Sequence, residues 1–194
     1  MNSSLRKTVI VVALLNLGYF GIEFAVALNI RSVSLFADSI DFLEDASINL
    51  LIASALGWSA VRRARLGMAL AGILLIPGLA TLWAAWGKFQ ALVPPAPLAL
   101  AITGVGALVV NLSCAFMLVR FRSHSGSLTR AAFLSARNDA AANVAIIAAG
   151  FVTAYTRSAW PDLIVGLGIA ALNADAAREV WRVARDEHKA ADVQ

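Results

Sequence analysis

Six runs of about 20 mostly apolar residues dominate the chain, at 8–28, 33–55, 66–86, 97–119, 131–153 and 162–177. A helix of about 20 apolar residues crosses a hydrocarbon core about 30 Å thick. Within that core every backbone N–H and C=O must be satisfied inside the segment, which leaves helices as the way to cross for runs of this length. The pattern therefore predicts an all-α polytopic membrane protein with six transmembrane helices. Composition agrees, with 60% hydrophobic and 14% charged residues, against about 25% charged in an ordinary soluble domain. Residues 1–177 read as one transmembrane unit. Residues 178–194 read as a short amphipathic cytoplasmic tail, with Val180, Trp181 and Ala184 on one face and Arg178, Arg182 and Arg185 beside them. The single cysteine, Cys114, excludes an internal disulfide and a thiolate cluster.

The punctuation between the runs fits. Pro94, Pro95 and Pro97 break the chain between spans three and four, and Pro77 predicts a kink within span three. Pro161 and Asp162 suit the first turn of span six. Basic residues set the orientation. With both termini cytoplasmic, 13 of the 16 Lys and Arg fall inside or just inside the inner boundary, and only Arg31, Lys88 and Arg157 fall outside. Ala25-Val26-Ala27 has the small-residue look of a signal cleavage site. Asn16, Gly18, Tyr19 and Glu23 interrupt the run before it, so this segment reads as a retained span. The basic charge is the charge that fixes topology, which argues against nucleic acid as a partner.

The acids inside the spans carry the chemistry. Span two holds Asp38, Asp41, Glu44 and Asp45; span one holds Glu23; span five holds Asp139. An ionised carboxylate at mid-bilayer costs about 2.5–3.5 kcal/mol on insertion scales. Four on one helix cannot face lipid. At 100° per residue, Asp38, Asp41, Glu44, Asp45 and Asn49 fall within an arc of roughly 140°. Ser135, Asn138, Asp139 and Asn143 form a similar stripe on span five, and Asn16, Tyr19 and Glu23 one on span one. Depth agrees as well: at 1.5 Å per residue, Asp41 and Asp45 lie roughly 12–18 Å below one boundary and Asp139 roughly 14 Å above the other. Two acidic stripes at one depth on antiparallel helices can form one site.

Several carboxylates packed together in a low dielectric cannot all ionise without a counter-charge. No Lys lies in the spans, and Arg137 falls on the far side of span five from Asp139. Protons or a divalent cation must supply the charge, and competition between the two is proton–metal exchange in outline. Helix–helix glue is built more cheaply from Asn, Ser or Thr. Asp41, Asp45, Asp139 and Ser135 are the expected metal-site residues. Asp38, Asn143, Asn138, Glu44 and Glu23 are candidates for further metal or proton sites. Asn111, Cys114 and Asn173 read as packing contacts, and His124 and His188 as solvated loop residues.

The run Ser34-Leu35-Phe36-Ala37-Asp38-Ser39-Ile40-Asp41-Phe42-Leu43-Glu44-Asp45 resembles the second-span signature of the cation diffusion facilitator family. That family places a His or Asp four residues before an Asp, here Asp41 and Asp45. In its fifth span it carries His-x-x-x-Asp; Asp139 matches, and Ser135 stands where the His would be. The resemblance implies a secondary transporter in the bacterial inner membrane, exporting divalent metal from the cytosol in exchange for protons. It implies a homodimer with one tetrahedral site per protomer between spans two and five, and residues 1–177 as the transport domain. The metal is substrate, and no cofactor is expected. Zinc comes first, with Cd, Mn, Fe and Co also in range, because an all-oxygen site shifts preference toward harder ions. The chain ends soon after span six, so it resembles a short form without the family's C-terminal cytoplasmic domain. In place of Ser135, Asn138 or Asn143 is a possible fourth ligand. Two rival readings are an intramembrane aspartyl protease using Asp41 with Asp139 and a non-transporting scaffold. A protease dyad has no need of the extra acids on span two, and the chain has no Gly-x-Gly-Asp stretch.

Overall fold

A computed structural model describes residues 3–55, 79–119, 121 and 127–175, with side chains described from residue 135 in the last segment. Among the described residues every regular element is a helix: α1 (Ser3–Ile30), α2 (Val33–Ala55), α3 (79–90), α4 (Pro97–Val119), α5 (Ser127–Thr156) and α6 (160–175). Spans two and four fall where the sequence puts them. Helices α1 and α5 run longer, at 28 and 30 residues, which is about 42–45 Å and enough to project past the hydrocarbon into the headgroups. The expected Pro77 kink and the 178–194 tail lie outside the described residues, as do His124 and His188.

Three of these helices are long and apolar enough to cross a membrane on length and composition: Ser4–Ile30, Pro97–Val119 and Ser135–Thr156. Helix α2 is long enough but carries four acids within eight positions. It depends on its neighbours to cover them. Packing supplies that cover. Helices α1 and α2 form one hairpin, α4 and α5 a second, and the hairpins meet with α1 on α4 and α2 on α5. An apolar cluster of Leu5, Val9, Val12, Ile52, Cys114 and Leu118 closes one end of the bundle. Another, of Ala27, Leu35, Leu100, Ile146 and Ile169, closes the other. The acids of α1, α2 and α5 lie in the layer between the two.

Exposure is inverted relative to a water-soluble globule. Phe116 is 80% exposed, Trp83 78% and Tyr155 92%, while Asn16, Glu23, Asp38 and Asn143 are fully buried. A polar interior beneath an apolar surface of this extent is the signature of a lipid-embedded bundle. The protein is an integral membrane protein.

The turn between α1 and α2 is set by backbone geometry. Arg31 adopts a left-handed conformation (φ 54°), and Ser32 N–H donates to the Ala27 carbonyl at 3.0 Å, a Schellman closure of α1. Ser32 then caps α2 by accepting from Leu35 N–H at 3.1 Å. The other first-turn donors go elsewhere. Asp162 accepts from Val33 N–H (3.0 Å), Ser34 N–H (3.1 Å), Ser34 Oγ (2.7 Å) and Ser32 Oγ (2.6 Å). This corrects the expected role of Asp162: its carboxylate caps α2, not only its own α6. Lys88 of α3 joins the cluster, 3.6 Å from Asp162 and donating to the Arg31 carbonyl at 2.5 Å. It is the one ion pair among the described residues, and all of it is buried.

Gly166 lies one turn beyond Asp162 on the face of α6 that meets α2. A Cβ there would stand 2.7 Å from Ser34 N and from the Val33 carbonyl carbon. Backbone cannot yield as a side-chain tip can, so α6 would have to lift off. Gly166→Ala is expected to cost about 1–3 kcal/mol through overpacking, read as a lower melting temperature in detergent. The same change at Gly168, which has open space around it, should stabilise or leave the protein unchanged.

Candidate functional site

The polar arc of α2 meets the polar stripe of α5. Two side chains of α5, Ser135 and Asn143, bond to the acids of α2. Ser135 Oγ lies 3.0 Å from Asp45 Oδ1 and 3.5 Å from Asp139 Oδ2. A hydroxyl has a single proton to donate, so it serves one of these carboxylates at a time. Asp41 and Asp45 are both buried. The electrostatic neighbours of Asp41 are Asp139 across the interface and Asp38, Glu44 and Asp45 on its own helix. Asp139 in turn neighbours Asp45, Asp38 and Glu44. Arg137 is exposed on the opposite face of α5, as expected. No Lys or Arg forms an ion pair with these acids among the described residues.

The remaining candidates divide. Asn143 does not join Ser135 and Asp139. Its Nδ2 donates to Asp38 Oδ2 at 2.6 Å, and its Oδ1 accepts from Asn111 Nδ2 on α4 at 3.0 Å. Asn138 is exposed, and Glu44 is half-buried at the edge of the cluster. Asn49 turns back on its own helix, donating to the Asp45 carbonyl at 2.8 Å. Glu23 is buried against Asp38 on the α1 side. Cys114 is buried on α4 beside Asp45 and Asp139, its Sγ 3.9 Å from Asn16 Oδ1. Tyr19 packs on Phe42 with ring centroids 5.1 Å apart, and its hydroxyl donates to the Thr103 carbonyl at 2.6 Å.

The acids share one layer without closing on a single point. Among the described residues no three His, Cys, Asp or Glu side chains stand in an arrangement able to hold a metal ion. A cavity of about 340 Å³ opens at the Arg31 end between α1, α2 and α3, and none of the mid-bundle acids lines it. What the layer offers is concentrated negative potential in a low dielectric. It attracts cations and protons and gives no foothold to an anion.

The chain matches the cation efflux transmembrane domain family over residues 9–187. It belongs to the cation efflux family. No curated protein matches the chain. Cation efflux proteins are transporters and not enzymes, and their substrates are divalent metal cations.

The residues that sequence reasoning missed are those of the Arg31 end. Ser32, Ser34, Lys88 and Asp162 form its main polar contact between helices, yet each reads in sequence as a turn or cap residue. The available signal was the pair of unlike charges at the ends of two apolar runs, Lys88 after span three and Asp162 at the start of span six. Neither is expected to be buried without a partner.

Proposed function

We propose that this cation efflux protein exports divalent transition-metal ions from the cytosol in exchange for protons, with zinc as the first substrate and Cd, Mn, Fe and Co as others. Asp41, Asp45 and Asp139 supply carboxylates and Ser135 a hydroxyl, from α2 and α5. The observation that carries the reading is the Ser135 hydroxyl set between Asp45 and Asp139. It joins acids of two helices with no Lys or Arg paired to them among the described residues. Protons neutralise the layer when the metal is absent, and metal displaces them on binding. The working unit is a homodimer in the bacterial inner membrane, with both termini cytoplasmic and one site in each protomer.

The donor set is all oxygen, which widens tolerance toward harder ions. The experiment is metal flux into proteoliposomes carrying a metal-sensitive dye. Zn²⁺, Cd²⁺, Mn²⁺, Fe²⁺ and Co²⁺ are each tested with and without an imposed pH gradient. Uptake of Zn²⁺ that rises with the gradient and acidifies the opposite side is expected. Flux indifferent to the gradient removes proton exchange from the reading, and no flux of any of the five metals removes the reading altogether.

A further inference from the structure

Glu23 and Asp38 stand apart from the Ser135 link, and their chemistry differs. Both are fully buried. Neither oxygen of Glu23 meets a donor, and neither does Asp38 Oδ1. What Glu23 meets is the Asp38 carboxyl, one acceptor facing another. Two such oxygens attract each other only when a proton lies between them, as in carboxyl pairs that share one because both cannot ionise side by side. A single proton turns two orphaned acceptors into a hydrogen bond.

The surroundings favour a proton over a metal ion. Asn143 turns its NH2 group toward Asp38, because its carbonyl oxygen is taken by Asn111. A donor aimed into the site repels a cation. It also stabilises charge on Asp38 and so leaves the proton on Glu23. The titratable neighbours are Tyr19 on α1, whose hydroxyl is engaged by Thr103 on α4, Asp41 on α2 and Asp139 on α5. Helix α4 adds the uncharged Asn111, and α5 the uncharged Asn143. Neither α3 nor α6 brings a charged group to the pair among the described residues.

We propose that Glu23 and Asp38 form a proton-binding site of their own, one proton held between two carboxyls, which exchanges during transport and is separate from the metal ligands. Its role in exchange rests on the transport reading above; the shared proton does not. Asp38 lies one helical turn from Asp41 on α2, and Asn143 one turn from Asp139 on α5. A cation arriving at Asp41 and Asp139 therefore acts on the pair through charge and through both helices. Glu23 then gives up its proton and the two carboxylates balance the metal.

Infrared spectroscopy tests the pair without any transport. Wild type, Glu23→Gln, Asp38→Asn and the double variant are compared at neutral pH in the stretching region of protonated carboxyls. Glu23→Gln should lose one band, because the Asp38 left behind keeps its Asn143 donor and is ionised. Asp38→Asn should shift that band, because Glu23 without a donor stays protonated but loses its carboxylate partner. The double variant should lose no more than Glu23→Gln. No loss in Glu23→Gln, no shift in Asp38→Asn, or a further loss in the double variant overturns the shared proton. Calorimetric zinc titration in buffers of differing ionisation enthalpy tests the exchange. Glu23→Gln should bind zinc at least as tightly as wild type while releasing one proton fewer, and its uptake should respond less to an imposed pH gradient. Equal proton release in the two proteins overturns the exchange role. If Glu23→Gln does not fold, Glu23→Met carries the same two measurements. If wild type moves no metal, the transport reading fails while the infrared result still decides the pair.

Discussion

Asp45→Asn is expected to abolish metal flux while raising the melting temperature of the protein. The two effects share one cause. In the folded protein Asp45 is buried among Asp41, Glu44 and Asp139, with Ser135 as its side-chain donor across the interface. Asparagine keeps an acceptor for that hydroxyl and almost the same shape, and it removes one of the mutually repelling charges. The fold relaxes, while the cation loses a ligand. Outer partners of metal ligands typically cost about 10–100-fold in affinity or activity, so loss of a carboxylate ligand should cost more than about 100-fold. Asp41→Asn and Asp139→Asn should behave alike. Ser135→Ala should lose about 10-fold in flux and keep its fold. The rival in which these acids only join helices predicts the opposite sign for stability, because glue weakens when its charge or geometry changes. Flux into proteoliposomes and thermal unfolding in detergent, measured on the same preparations, separate the two. A destabilised Asp45→Asn that still transports would defeat the site.

The outcome depends on a meeting of α2 and α5 that was largely legible in the sequence. Acids recurring every three or four residues from Asp38 to Asp45 must lie on one face, and their distance from the ends of the runs fixes their depth. Those two facts put Asp41 and Asp45 at the level of Asp139 before any contact is known. Ser135 was legible too, one turn before Asp139 on the same face. The partner of Asn143 was not. On a helical wheel it belongs with Ser135 and Asp139, but two turns separate it from Ser135, and α2 and α4 bring Asp38 and Asn111 to it instead. Wheels give direction around a helix and say nothing about which neighbour stands there. The same limit hid Asp162. An acid in the first turn of a helix is explained by its own helix dipole, so nothing local signals that the carboxylate is spent on the first turn of α2.

Asp162→Ala should be the most destabilising single change at the Arg31 end. It removes an acceptor shared by two backbone N–H groups and two hydroxyls, and it strands the buried Lys88 ammonium. Breaking a buried pair by deleting one partner typically costs about 3–5 kcal/mol. The unsatisfied α2 donors add to that. Lys88→Met should cost less, about 1–3 kcal/mol, because Asp162 keeps four donors while only the ion pair and the bond to the Arg31 carbonyl are lost. Asp162→Asn should fall between, since its amide oxygen still accepts but its NH2 group faces donors. The expected order of melting temperatures is wild type, Lys88→Met, Asp162→Asn, Asp162→Ala, from highest to lowest, and Lys88→Met falling furthest would contradict it. The transport consequence differs in kind from that at Asp45. The capped turn begins α2 two turns before Asp41, so it sets the axial position of the acids without touching them. Flux in the Asp162 variants should therefore fall in step with the folded fraction and recover on cooling. In Asp45→Asn it is absent at every temperature at which the protein is folded.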